Sequence, residues 1–322
     1  REVLVTSGAT EALLSSFLAL IEPGDEAIIL EPAYDSHAPV LARAGARVVP
    51  VRLAPPDWAL PEQALRAAIT DRTRLIVVNT PMNPIGKVFS DEEIDLLARL
   101  ANAHDLIVVS DEVYEHLVFD GQPFRSLLAH PGLRERAVRI GSAGKSFSVT
   151  GWKVGYVSAA PALLAPILRA HQYATFTTPP ALQAAVAVGL RFPDSYFLGL
   201  KAELQARRDS LRASLQQAGF QAPPVAATYF ATVDISALDP GGDDLAFCQR
   251  LVREAGVAAI PVSGFFQSRD IKTHIRFCFA KPAPLLAEAA RRLADWRAAN
   301  PSDARTRTED QPRRGAATGV SP

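Results

Sequence analysis

The chain has 322 residues, of which 48% are hydrophobic, so we expect one large or two ordinary globular domains and not a disordered chain. Its 34 basic residues balance 34 acidic ones, which gives no general attraction to nucleic acid or to an anionic membrane. No run reaches the roughly 18 apolar residues of a membrane span, and two cysteines are too few for a disulfide framework or a zinc cage, which favours a reducing, cytoplasmic compartment and no metal site.

Strand-like and helix-like segments alternate up to about residue 160. This alternation predicts a mostly parallel sheet with helices on both faces, in which ligands bind beyond the carboxyl ends of the strands. The capping pattern Ser90-Asp91-Glu92-Glu93 marks the start of one helix. Strands are predicted over residues 3–5, 26–30, 47–51, 75–78, 106–109, 137–140 and 154–157, and helices over 9–21, 34–44, 62–69 and 90–103.

The pattern changes after about residue 160 and predicts a smaller α+β domain joined through a long charged helix. We predict a large domain over residues 1–195, a small C-terminal domain over 196–299 and a disordered tail over 300–322, which is poor in apolar residues. Helices are predicted over 163–173, 181–190, 196–218, 245–255 and 285–297, and strands over 228–233, near 257–260 and over 273–279.

The strongest chemical signal is the segment Gly-Ser-Ala-Gly-Lys-Ser-Phe at residues 141–147, directly after a predicted strand. Lys145 is one of only six lysines, and small neighbours would let a flat cofactor approach its amine. The Gly-Lys-Ser sequence is not a phosphate-binding P-loop, because Arg139 stands where that motif needs glycine. A lysine considered alone is more often an ordinary surface residue, and it is the surroundings of Lys145 that favour a cofactor-binding role.

Asp111 ends an apolar strand, where a buried carboxylate needs a cationic partner such as a protonated pyridine nitrogen. Capping of the following turn is the alternative for Asp111, as simple packing is for Tyr114. In the turn Asn79–Gly86, Asn83 is placed to donate to a ring oxygen, unless it serves the turn alone.

Two further segments suggest anion binding. Ser7-Gly8-Ala9-Thr10-Glu11-Ala12 opens a predicted helix with small residues, which suits a phosphate at its N-terminus, although many helices begin this way. Arg276 lies in an otherwise apolar strand, where it either clamps a carboxylate or forms a structural salt bridge.

Together these segments resemble the fold-type I aminotransferases of class I and II, which depend on pyridoxal 5′-phosphate (PLP). The likeness is to the subgroup of kynurenine, glutamine and methionine aminotransferases and cysteine-S-conjugate β-lyases. It covers about residues 1–297. The carriers, in the family's order, are residues 7–12, 31–35, 79–86, 110–114, 142–147 with 150–153, 257–261 and 275–279.

The resemblance implies a role for each matching residue. Lys145 would hold PLP as a Schiff base and move the substrate proton, and Asp111 would pair with the ring nitrogen. Asn83 and Tyr114 would contact the ring's phenolic oxygen, and Arg276, with Asn83, the substrate. The ring and phosphate contacts would come from Tyr34, Ala9, Thr10, Ser142 and Lys153.

The activity implied is transamination between an L-amino acid, such as methionine, glutamine or a kynurenine-like aromatic, and a 2-oxo acid. The alternatives are an N-succinyl-diaminopimelate aminotransferase, a cysteine-S-conjugate β-lyase and a non-catalytic PLP-binding regulatory module. The resemblance also implies a homodimer. Because a strand begins just after Arg1, we expect the natural protein to extend upstream into the N-terminal arm of the family, which is missing here.

Overall fold

The protein is described by a computed structural model that covers residues 2–301. A seven-stranded sheet forms its larger part, with strands β1 (Val3–Thr6), β2 (Glu26–Glu31), β3 (Arg47–Arg52), β4 (Thr73–Asn79), β5 (Ile107–Asp111), β6 (Ala137–Ser142) and β7 (Gly155–Ala159). Their order across the sheet is β1-β7-β6-β5-β4-β2-β3. Strand β7 runs antiparallel to both of its neighbours, and the strands from β6 to β3 are parallel. The predicted mostly parallel sheet is therefore confirmed.

Within residues 2–301, ten α-helices connect and cover the strands. They are α1 (Ala9–Leu20), α2 (His37–Ala44), α3 (Glu62–Ala68), α4 (Asp91–Ala103), α5 (Ala143–Ser146), α6 (Pro161–Ala174), α7 (Pro180–Gly189), α8 (Asp194–Gln217), α9 (Asp244–Ala255) and α10 (Ala283–Ala299). Within residues 2–301, no helix combines the length and apolar character needed to cross a membrane.

The central strands are buried on both faces, which explains their unbroken apolar runs. Ile76 and Val108 pack into one cluster with α4, whereas Val77 and Val109 pack into a second cluster with α1 and α6. Each such side chain stabilises the fold by roughly 1.5–3 kcal/mol through burial. The two clusters clamp the sheet and leave its carboxyl edge free to carry polar residues.

Local signals predicted most helix ends correctly. The Ser90 side chain accepts a bond from the Glu93 backbone N–H at 3.2 Å, and Glu93 accepts one from Ser90 N–H at 3.0 Å. The predicted helix over 34–44 was wrong at its start, because helix α2 begins only at His37 and the chain at Tyr34 forms a turn. Helix α5 was not predicted, and the strand near 257–260 is reduced to Ile260–Pro261, because only these two residues pair with β10.

The C-terminal part carries a second, antiparallel sheet, ordered β8-β10-β9, as expected of an α+β unit. Its strands are β8 (Phe230–Asp234), β9 (Ile260–Pro261) and β10 (His274–Cys278). Helices α8, α9 and α10 pack with it around a core of its own, which extends to residues 113–119 after β5. Residues 302–322 of the predicted tail lie outside the described residues.

Candidate active site

The predicted site residues meet at the carboxyl edge of the large sheet. Strand register sets Asn79 beside Asp111, and Ser142 beside Gly155, so these strand ends reach the same level. A cavity of about 660 Å³ opens there. Nine of the ten predicted residues line it, namely Ala9, Thr10, Tyr34, Asn83, Asp111, Tyr114, Ser142, Lys145 and Lys153. The structure therefore brings them together, while their individual roles remain predictions.

Lys145 is placed by a tight turn from β6 into α5. The Ala143 N–H donates to the Val154 carbonyl at 3.1 Å, and a side chain at Gly144 would come within 3.0 Å of Thr150 Cα. The glycine before Lys145 therefore allows the turn to pack closely against Thr150. Its half-buried Nζ donates a hydrogen bond of 2.8 Å to the Tyr229 hydroxyl. The amine is thus held at the cavity wall.

Asp111 is buried at the end of β5, with only 4% of its surface exposed. Its carboxylate accepts one long bond from the Val113 N–H at 3.4 Å. Its ion-pair partner among residues 2–301 is His37, whose Nε2 lies 3.6 Å away and has no hydrogen bond. A buried carboxylate with such weak partners suits a cationic ligand.

The turn after β4 is fixed by Asn79, which accepts from the Asn83 N–H at 2.8 Å and donates to the Asp111 carbonyl at 3.0 Å. Gly86 closes the turn with a positive φ of 69°, and a Cβ there would meet Val225 at 2.4 Å. The Asn83 amide is consequently buried against the cavity. Its Oδ1 accepts a bond of 2.5 Å from Arg276 Nη1.

Arg276 is the predicted residue that does not line this cavity; it borders a second one of about 410 Å³ and reaches the first through Asn83. Its guanidinium stacks on Phe230, 3.9 Å from the ring centre, and its buried Nε has no hydrogen bond. Within residues 2–301, no carboxylate lies within ion-pairing distance of Arg276. Burial therefore lowers its pKa, and a bound carboxylate would reverse that effect.

The end of the cavity nearest α1 is built for an anion. The first turn of this helix begins at Gly8, which has no side-chain cap, so its N–H groups are available to a ligand. Gly155 permits the close approach of the β7 backbone, because a Cβ there would lie 2.5 Å from the Gly8 carbonyl carbon. Lys153, in a left-handed conformation with φ 53°, adds a positive charge beside the helix end.

These groups fit PLP, which combines an aldehyde, a basic ring nitrogen, a phenolic oxygen and a phosphate. The cavity offers the amines of Lys145 and Lys153, the buried carboxylates of Asp111 and Glu11, an amide beside a phenol and a helix N-terminus without a side-chain cap. Within the part of the chain that is described, no cluster of three or more His, Cys, Asp or Glu side chains could hold a metal ion.

Sequence reasoning missed Tyr229 and His37, which touch Lys145 and Asp111 respectively. Tyr229 lies at the start of a predicted strand, and His37 lies inside a predicted helix. Neither the predicted strand nor the predicted helix indicates which distant side chain Tyr229 or His37 contacts.

A family model described as aminotransferase class I and II matches residues 1–293. The methionine aminotransferase of Escherichia coli is 42% identical over 292 residues, which are 91% of this chain and 75% of that protein. Kynurenine–oxoglutarate transaminase 1 of Mus musculus is 39% identical over a gapped alignment of 328 positions, which covers 92% of this chain and 77% of that protein. The solved structure of N-succinyldiaminopimelate aminotransferase from Mycobacterium tuberculosis superposes with a TM-score of 0.88 at 43% identity, over 92% of this chain and 77% of that chain.

Proposed function

Because this chain belongs to the class I and II aminotransferases, which are PLP-dependent enzymes acting on amino acids and 2-oxo acids, we propose that its amino donor is L-methionine, L-glutamine or a kynurenine-like aromatic amino acid. The amino group passes to a 2-oxo acid in two alternating half-reactions. Two relatives named for methionine and kynurenine support this donor class. Bound PLP supplies an aldehyde that reacts with amines and a ring that accepts electrons released at the substrate Cα.

In this proposal the Lys145 amine would hold the cofactor at its aldehyde carbon and, when it is free of that carbon, would move the proton from the substrate Cα to the same carbon of the cofactor. The Asp111 carboxylate keeps the ring nitrogen protonated. Asn83 and Tyr114 donate to the phenolic oxygen, and burial raises the pKa of Tyr114 well above its ordinary value, which keeps its proton available for donation.

The remaining roles concern binding. Arg276, held by Asn83, grips the substrate α-carboxylate. Tyr34 stacks on the ring, and Ala9, Thr10, Ser142 and Lys153 hold the phosphate at the N-terminus of α1.

A single observation carries the proposal: Lys145, Asp111 and an uncapped helix N-terminus line one cavity. The test is to purify the protein with PLP, trap the cofactor with borohydride and map the modified peptide. We expect the modification on Lys145 and its loss in Lys145→Ala. Lys272→Ala, at an exposed lysine outside the cavity, is the matched control and should change nothing. Cofactor trapped on another lysine would refute the assignment.

A second candidate donor is N-succinyl-diaminopimelate, which the 43% identity to the mycobacterial structure favours equally well. A donor screen separates the two. Methionine, glutamine, kynurenine, phenylalanine and succinyl-diaminopimelate are supplied in turn, with 2-oxoglutarate or the oxo acid of methionine as acceptor. Turnover with succinyl-diaminopimelate alone would overturn the proposed donor class and leave the transaminase activity intact.

We also propose that the chain acts as a cytoplasmic homodimer, divided into domains near residue 195. Large apolar side chains stand exposed on α6 and the loop after it, with Tyr173 at 87% and Phe176 at 73%, which supports a covering partner subunit.

Two unpaired cysteines support a reducing compartment. The separate core around α8, α9 and α10 supports the domain division.

A further inference from the structure

Tyr229 contacts Lys145, and the proposed function assigns it no role. It immediately precedes β8, and its hydroxyl lies 2.8 Å from Lys145 Nζ although the two residues are 84 positions apart. Among residues 2–301, no carboxylate lies within ion-pairing distance of that amine, so the phenol is its polar partner. A half-buried amine gains from such an acceptor.

The backbone holds the Tyr229 ring firmly in place. The Phe279 N–H donates to the Tyr229 carbonyl at 2.9 Å, at the end of β10. The preceding residue, Thr228, is fully buried in a left-handed conformation with φ 72°, and its N–H donates to the Leu117 carbonyl at 2.9 Å. These bonds tie the tyrosine both to the small sheet and to the segment after β5. The hydroxyl is therefore aimed at Lys145 by rigid elements.

Tyr229 also contacts Tyr114. The two rings meet edge to face with centres 5.2 Å apart. Burial first, and then the neighbouring Tyr229 hydroxyl, raise the pKa of Tyr114. Lys145 Nζ lies 5.7 Å from the Tyr114 ring centre and 5.4 Å from that of Tyr229, so both rings flank the amine. The phenol of Tyr229 thus links two groups of the site.

We propose that Tyr229 is a positioning residue, which receives the Lys145 amine whenever that amine is not bonded to the cofactor and holds it in reach of the substrate Cα. The inference rests on the proposed role of Lys145. A lysine side chain without a hydrogen-bond partner samples many rotamers. Proton transfer then slows, because the amine is within reach of the substrate Cα in only some of them. The hydroxyl of Tyr229 restricts that freedom without touching the substrate.

The test compares Tyr229→Phe with Tyr156→Phe. Both changes keep the ring and remove one hydroxyl, and the Tyr156 hydroxyl bonds to Glu115 at 2.9 Å, away from Lys145. In the cofactor-free protein, an amine-acylating reagent should label Lys145 about three- to tenfold faster in Tyr229→Phe, because the amine loses its partner. Tyr156→Phe should label like the wild type. Mass spectrometry of the Lys145 peptide, with Lys272 as internal reference, measures the rates.

In the PLP-loaded enzyme, Tyr229→Phe should lower kcat about tenfold, raise the isotope effect of a Cα-deuterated donor and leave its KM unchanged. A purely structural tyrosine would lower the melting temperature without moving the isotope effect. An isotope effect equal to that of Tyr156→Phe overturns the inference, whatever the labelling rate. The borohydride trapping of the wild-type enzyme separates the two hypotheses. PLP trapped on a lysine other than Lys145 refutes both, whereas trapping on Lys145 together with a silent Tyr229→Phe refutes only this one.

Discussion

Asp111 and Glu112 are consecutive residues at the end of β5, and both carboxylates are buried, yet the protein treats them differently. Glu112 accepts from the Ser110 hydroxyl at 2.7 Å, the Leu127 N–H at 2.9 Å and Arg139 Nε at 3.0 Å. Asp111, on the cavity side, has one bond of 3.4 Å and an imidazole 3.6 Å away. A carboxylate that stabilises the fold has its hydrogen-bond and ion-pair partners within the protein. A carboxylate that binds a ligand has weak partners within the protein.

Two half-buried arginines show the same contrast. Burial lowers the pKa of Arg139, but its ion pairs with Glu115 and Glu112 outweigh burial, so the net pKa is raised. Burial also lowers the pKa of Arg276, and nothing comparable offsets it. We call Glu112 and Arg139 the closed pair, and Asp111 and Arg276 the open pair. The closed pair should govern stability and the open pair should govern turnover.

The largest effect is expected for a substitution of Asp111, a member of the open pair. Asp111→Asn removes the charge that keeps the cofactor ring protonated, and kcat should fall about a thousandfold, as with other preorganised electrostatic groups. The free energy of unfolding should change by less than about 1 kcal/mol, because the carboxylate has few partners to lose. Steady-state kinetics at saturating PLP and urea unfolding measure both. Near-normal turnover would show that Asp111 is merely structural.

Arg139→Met should produce the opposite result. It leaves the buried carboxylate of Glu112 and the half-buried one of Glu115 without their cation, and the free energy of unfolding should fall by about 3 kcal/mol. This figure is at the low end for a broken buried pair because burial already raises the pKa of Glu112, so that side chain can take up a proton. The folded fraction should keep its kcat within about threefold.

The matched change, Arg276→Met, completes this test. Removing a half-buried cation that has no carboxylate within ion-pairing distance among residues 2–301 should leave the free energy of unfolding within about 1 kcal/mol of the wild type. KM for all amino donors should rise about a hundredfold, roughly 2.7 kcal/mol of lost binding, while their ranking stays the same. If one class of donor alone were affected, Arg276 would contact the substrate side chain and not the α-carboxylate.

Local patterns were sufficient to predict most of the fold. Ser90 and Glu93, which are three residues apart, predicted the start of a helix. The apolar run before Asp111 predicted a strand that is covered on both faces. The order of the strands and the antiparallel β7 depend on contacts between distant segments, which no local pattern records.

The open pair could be predicted as functional from the sequence, because both residues are charged and lie in apolar segments. A carboxylate at the end of an apolar strand and an arginine inside one break the local pattern visibly, and functional sites are where such breaks are expected. Tyr229 breaks no pattern, because an aromatic residue at the start of a strand is ordinary. Its importance comes only from a bond that spans 84 residues.

The smallest effect is expected for an ion pair on the surface. Glu288 bonds to Arg291 and Arg292 on α10, and these bonds hold its pKa at about 2, although all three side chains are well exposed. Any resulting stabilisation is present above the ordinary pKa of 4.5 and is lost as the pH falls towards 2. Solvent and salt screen such charges, so Glu288→Gln should leave the melting temperature at pH 7 and 0.15 M salt unchanged within error. Calorimetry beside Arg139→Met makes the comparison direct, because both changes break a double ion pair and only one of them is buried. A loss as large as that of Arg139→Met would mean that pairing itself, and not burial, sets the cost, and the distinction between open and closed charges would then fail.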